Sequence, residues 1–201
     1  VQKWSDPDDD RRRIIEAAHR CLSEPHSGPI PVSAILRSAE VSTRAFYRHF
    51  SSKDELFLAL LQQECEKVAA RVERIAAAAV GTPANQLAAW IGEMFDLMVE
   101  PEQRAHLSVV DSEEVRMAKG YQETRDRARC DRERSLATIL RRGRDDGSFP
   151  ITDPDCDAEL IGAVVSRALN NETPDDLQHL KQTQAKVLDF ALRAVGAVAA
   201  V

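Results

Sequence analysis

Little in this chain supports a stapled, membrane-spanning or catalytic protein. It has four cysteines in 201 residues, and Cys21, Cys65, Cys130 and Cys156 lie far apart. There is no C-x-x-C and no histidine beside a cysteine pair, which removes zinc and redox-motif chemistry. Each cysteine reads as small apolar filler on a helix. Their sparseness fits a reducing compartment, and the expected location is the cytoplasm. Purely apolar runs reach six residues, as from Ile75 to Val80, too few to cross a bilayer. No signal-peptide h-region stands at the N-terminus. Alternating runs rich in Val, Ile and Thr are also missing, so strands are not expected.

Catalytic signatures are equally scarce. Neither G-x-S-x-G nor H-E-x-x-H occurs, and Gly143 to Gly147 has neither the spacing nor the lysine of a phosphate-binding loop. Asp153, Asp155 and Asp157 open like a calcium loop, but Ala158 and Val164 stand where its glycine and glutamate belong. The five histidines are dispersed. The expectation is a non-enzyme with no cofactor and no metal.

Charge is present and unevenly spread. The net charge is -6, which argues against nucleic-acid binding over the whole surface. Residues 10–60 nevertheless hold eight basic and six acidic residues, whereas residues 61–201 hold 18 basic and 24 acidic ones. A mildly basic head on an acidic body points to one end that faces nucleic acid.

Helical periodicity dominates, so the fold class expected is all-α with about nine helices. Their starts are marked by a polar cap followed by proline, at Asp6-Pro7, Thr82-Pro83, Asp153-Pro154 and Thr173-Pro174. Ser52 and Glu55 form a capping box. The spacing predicts helices over about 7–23, 31–39, 43–50, 53–79, 83–99, 101–110, 113–143, 154–170 and 174–199. A boundary near 52 divides a head, 1–52, from a body, 53–201, within a continuous helix.

Residues 31–50 read as two short helices around a tight turn. Ile35, Ala39, Val41, Phe46 and Phe50 face inward, and Ser42 is the natural N-cap of the second helix. Its outward face then carries Thr43, Arg44, Tyr47 and Arg48. Such a helix can enter a major groove, with arginine bidentate to guanine as the strongest base contact. Tyr47, His49 and Lys53 are candidate donors to phosphate. Arg11, Arg12 and Arg13 read equally as an arm reaching the duplex or as cations balanced by Asp8, Asp9 and Asp10.

The run from Val41 to Phe57 resembles the TetR family signature, whose Y-x-H-F-x-S-K-x-x-L core is matched by Tyr47, His49, Phe50, Ser52, Lys53 and Leu56. Arg12 to Leu22 resembles that family's first helix. About 50 residues carry the resemblance. It implies a three-helix helix-turn-helix head on a helical ligand-binding and dimerisation body. Four departures stand out: Glu40 for a turn glycine, Leu36 for a small alanine, Arg44 for a glycine and Pro31 for a threonine. The first two predict a shifted helix crossing. The third predicts a base contact by Arg44 or a changed docking angle.

The resemblance implies a ligand-responsive transcriptional regulator: a repressor released from a palindromic operator by a small apolar or amphipathic effector. Activator behaviour is left open. It implies a homodimer formed through the 154–170 and 174–199 helices, whose stripes include Leu160, Ile161, Val164, Val165, Leu177, Leu180, Val187, Leu188 and Val198. It places the ligand among the middle helices, with Trp90, Met94, Phe95 and Met98 as the apolar wall and His106, Tyr121 and Arg125 as polar groups. The alternative is a helical protein-binding adaptor whose degenerate helix-turn-helix no longer binds DNA.

Overall fold

A computed structural model describes residues 7–26, 28–170 and 176–197. They are all-α and hold ten helices: α1 (Pro7–Ser23), α2 (Val32–Ala39), α3 (Thr43–His49), α4 (Lys53–Ala78), α5 (Pro83–Val99), α6 (Pro101–Val110), α7 (Glu113–Arg116), α8 (Tyr121–Asp145), α9 (Pro154–Leu169) and α10 (Leu177–Ala194). The predicted helix over 113–143 is two helices. The break falls at Gly120, which adopts φ +100. A side chain there would be strained, and its Cβ would stand 3.0 Å from Leu58 Cδ1. The count of nine is corrected accordingly.

Local chemistry sets most helix starts. Thr82 accepts from the Asn85 N–H at 3.2 Å, and Asp153 accepts from Cys156 at 3.5 Å, each ahead of a proline. Asp6 and the Thr173-Pro174 pair lie outside the described residues. α4 ends at Ala78 because Ala79, not Gly81, takes the first left-handed conformation, at φ 49.

The described residues pack into two compact units. The first holds the chain up to Cys65 together with Ala105–Arg125. Its core combines Ile14, Ala18 and Leu22 of α1 with Ile35 and Ala39 of α2, Phe46 and Phe50, and Leu56, Phe57, Leu60 and Leu61 of α4. Val109, Val110 and Val115 complete it. Phe46 is fully buried, which stabilises the unit by about 2–3 kcal/mol relative to an exposed ring. Packing thus groups the first turns of α4 with α1 to α3, whereas the division at 52/53 follows the DNA-facing helices alone.

The second unit holds Glu66–Arg104 and the chain from Asp126. Here α5 packs against α9 and α10. Trp90, Phe95, Leu136, Leu140, Phe149, Ile161 and Ala191 are buried within it. The Trp90 indole N–H donates to Ser135 Oγ at 2.9 Å, which satisfies its polar atom in the core. All four cysteines lie on helices, but Cys130 and Cys156 are exposed. The filler reading therefore suits only the half-buried Cys21 and Cys65, because α8 and α9 turn the other two away from the core.

Candidate nucleic-acid interface

α2 and α3 meet at a turn fixed at both ends. Ser42 Oγ accepts from the Ala45 N–H at 3.1 Å, capping α3. Glu40 closes α2 in the left-handed region, at φ 54 and ψ 41, and its N–H bonds back to the Arg37 carbonyl. Glu40 thus takes the positive φ that a turn glycine would supply. Arg13 helps hold it, reaching the Glu40 carbonyl at 3.4 Å and its carboxylate at 3.7 Å. Left-handed backbone costs a non-glycine residue about 1–2 kcal/mol, and the exposed Arg13 pair offsets little of it. Glu40→Gly is expected to raise stability by about 1 kcal/mol, read as a higher denaturant midpoint at unchanged slope.

With Ala45 and Phe46 buried beneath it, α3 presents Thr43, Arg44, Tyr47 and Arg48 to solvent. Tyr47 is 62% exposed, unusual for a phenol ring on a helix with an apolar underside. Ser42 is exposed at the α3 N-terminus but spends its oxygen on the cap. His49 is placed differently, since its Nε2 is buried and lacks a hydrogen-bond partner. Lys53 is half-buried, its ammonium 2.7 Å from Glu114 Oε2. Leu36, the second departure, is buried in the core.

The arginine run does two kinds of work. Arg12 pairs with Asp9 at 2.5 Å, as the balancing reading has it. Arg13 ties the turn, and Arg11 lies over the Phe50 ring at 5.6 Å. Arg20 adds a second tie, donating to the Ser38 carbonyl at 3.1 Å.

At the head of α4 the capping box forms with one shift. Ser52 Oγ accepts from the Glu55 N–H at 3.1 Å, while Glu55 returns to the Ser51 N–H and hydroxyl, both at 2.6 Å. These bonds hold the Glu55 carboxyl below its ordinary value of 4.5. Burial pushes the Glu114 carboxyl up, but hydrogen bonds from Lys53 and the Ile30 N–H outweigh it and leave it lowered too. A lowered folded-state pKa contributes stability that is full above 4.5 and lost as pH falls through the lowered values. The melting temperature is therefore expected to drop as pH falls below about 4.5, and less steeply in Glu55→Gln.

The predicted effector residues fall in different units. Trp90, Met94 and Phe95 are buried in the second, and Met98 is half-buried. His106, Tyr121 and Arg125 belong to the first. There His106 Nδ1 stands 3.1 Å from the buried Glu64 Oε1, Tyr121 donates to Asp111 at 3.0 Å and Arg125 is 3.9 Å from the same carboxylate. A hollow of about 620 Å³ in the first unit is lined by Lys53, Phe57, Glu113, Glu114 and Met117 among others. One of about 450 Å³ in the second is lined by Arg71, Arg74, Ile75, Ala78, Gln86 and Glu93 among others. None of the seven predicted effector residues lines either. Sequence reasoning missed Glu114, which lies 61 residues from its partner Lys53 and has no local motif. Among the described residues no cluster of side chains can hold a metal ion, and no helix is long and apolar enough to cross a membrane.

A capped short helix with a cationic and aromatic outer face, set at a fixed turn behind a second helix, defines a helix-turn-helix protein. Residues 14–60 match the family model for bacterial regulatory proteins of the tetR family, so this segment is a TetR-type helix-turn-helix domain. It is 30% identical over 93 residues to the HTH-type transcriptional repressor Rv1474c of Mycobacterium tuberculosis, covering 46% of this chain and 43% of that one. It is 32% identical over 84 residues to the repressor KstR of Mycolicibacterium smegmatis, covering 42% and 41%. These alignments span less than half the length of either relative.

Solved structures are similar over nearly the whole chain. The complex of SmeT with triclosan shares 25% identity at a TM-score of 0.72, covering 92% of this chain and 90% of that one; SmeT is the repressor of a Stenotrophomonas maltophilia efflux pump. Salmonella enterica GusR shares 17% at 0.73, covering 98% and 100%. Bacillus subtilis FadR bound to stearoyl-CoA shares 20% at 0.69, covering 90% and 97%. Identities below a quarter show the shared fold alone.

Proposed function

We propose that the chain is a homodimeric, ligand-responsive transcriptional repressor working in the cytoplasm, with two α3 helices entering successive major grooves of an inverted-repeat operator. The exposed Thr43, Arg44, Tyr47 and Arg48 face of α3 carries this reading. Arg44 is the base contact, Tyr47 and Arg48 serve base edges or phosphates, and Ser42 orients the helix. One such head covers few base pairs, so pairing two heads about 34–36 Å apart supplies the specificity a single head lacks.

The dimer is supported by apolar side chains left uncovered on α9 and α10. Leu160 is 56% exposed, Leu177 50% and Phe190 41%. Side chains of that size on paired helices are suited to a self-complementary interface. An apolar or amphipathic effector is supported by the ligands named with SmeT and FadR. Trp90, Met94, Phe95 and Met98 are its proposed apolar wall. An effector that prefers one arrangement of the body shifts the population of DNA-competent dimers by its differential affinity.

Sedimentation and footprinting test the proposal together. The protein is expected to sediment as a dimer and to protect an inverted repeat in the DNA flanking its coding region. Leu160→Glu combined with Phe190→Glu is expected to give monomers that protect nothing. A monomeric wild type that ignores that DNA at low salt sinks the repressor reading in favour of the adaptor.

A further inference from the structure

Lys53 is where the sequence reading and the geometry part. By residue type and place it is a candidate donor to DNA phosphate. In the folded chain its ammonium lies 2.7 Å from Glu114 Oε2 and 5.0 Å from the centre of the Phe57 ring. Side-chain exposure is 26% for Lys53 and 17% for Glu114, so the pair is screened less than an ion pair in open water. Glu114 is itself held in place. Its Oε1 accepts from the Ile30 N–H at 2.9 Å and stands 3.3 Å from His26 Nε2. One carboxylate on α7 thus clasps the segment entering α2 and the first residue of α4, all within the first unit.

We propose that Glu114 is an internal stand-in for a DNA phosphate, withholding Lys53 from the duplex and so setting the strength and salt dependence of DNA binding. The inference rests on the DNA-binding reading above. A carboxylate and a phosphate compete for the same ammonium, because bringing both to it sets two anions side by side. The pair borders the 620 Å³ hollow, which gives the flexible lysine stem room to leave. At this end of α4 Glu55 also takes both the Ser51 N–H and its hydroxyl. Lys53 is therefore the side chain there whose release adds a full charge to the interface.

The test is fluorescence anisotropy of a labelled mixed-sequence duplex of about 30 base pairs, titrated across salt, because sequence-independent binding reports phosphate contacts. Glu114→Gln keeps an acceptor for Ile30 and removes the charge that holds Lys53. Binding is expected to tighten roughly tenfold at low salt, and the slope of log K against log salt to steepen by about 0.9 per head. Glu113→Gln, the exposed neighbour, removes the same charge without freeing Lys53 and is expected to change affinity less than about twofold.

Lys53→Ala alone is expected to cost less than about twofold, yet to erase the whole gain when added to Glu114→Gln. An unchanged slope in a folded Glu114→Gln overturns the inference. So does a loss of about tenfold in Lys53→Ala alone, which decides the matter even where Glu114→Gln fails to fold. A wild type and variants that all ignore the duplex overturn the DNA-binding reading and this inference with it, whereas a binding wild type confines any failure to Glu114.

Discussion

Arg44→Ala is expected to weaken operator binding by about 100-fold while leaving mixed-sequence duplex binding within a few-fold of wild type. Arg44 is exposed in the first turn of α3, and no ion pair holds it among the described residues. A bidentate arginine–guanine contact contributes about 1–3 kcal/mol of discrimination, and the homodimer proposed above would lose it in both heads. Arg48→Ala, in the last turn, tests the other role: loss on both duplexes alike, with a salt slope reduced by about 1 per head, marks a phosphate contact. Equal losses on both duplexes for Arg44→Ala refute its assignment as a base reader. The glycine that the TetR signature often has at this position offers no donor, so an arginine there changes which sequence is read.

The parts legible in the sequence are those governed by near neighbours. Proline after a polar cap marked α5 and α9, and the Ser42 cap and the Phe46–Phe50 spacing located α3. Glu40 stands where the resemblance puts a turn glycine, and it adopts a positive φ there although it is not glycine. What escaped depends on contacts between distant segments. The break at Gly120 sits in a run whose flanks both look helical, and there the backbone takes φ +100 where Leu58 of α4 approaches. The burial of His49 Nε2 has no local sequence signal, and the capture of Lys53 by Glu114 depends on how α7 returns to the start of α4. A motif can state which residue types meet a duplex in relatives; it does not state which of them this chain keeps occupied.

The methionine and aromatic stripe of α5 shows the same limit. Its spacing predicts a shared face, and Trp90, Met94 and Phe95 do share one, buried against the second unit's interior. Periodicity does not separate a ligand wall from plain core. The polar ties around α5 are equally invisible beforehand. Arg71 joins Glu93 and also pairs with Glu100 at 2.8 Å, and these bonds hold the Glu100 carboxyl below its ordinary range. Asp96 beside them is pushed up, by burial first and then by the charges of Glu93 and Glu100.

Gly143→Ala is expected to destabilise the second unit by about 2–4 kcal/mol, although alanine is the better helix former by about 1 kcal/mol. The sign is set by Phe149. A Cβ at Gly143 would stand 2.0 Å from Phe149 Cδ2 and 2.5 Å from its Cγ, and that ring is fully buried. The ring has little freedom to retreat, because the Phe149 N–H also donates to the Gly143 carbonyl at 2.7 Å. The clash is thus built into the turn that closes α8 and leads to α9. Denaturant unfolding checks the loss. Phe149→Ala alone is expected to cost about 3–5 kcal/mol, and the double variant less than the two losses combined, because removing the ring makes room for the new methyl. A neutral or stabilising Gly143→Ala would show that the ring moves freely.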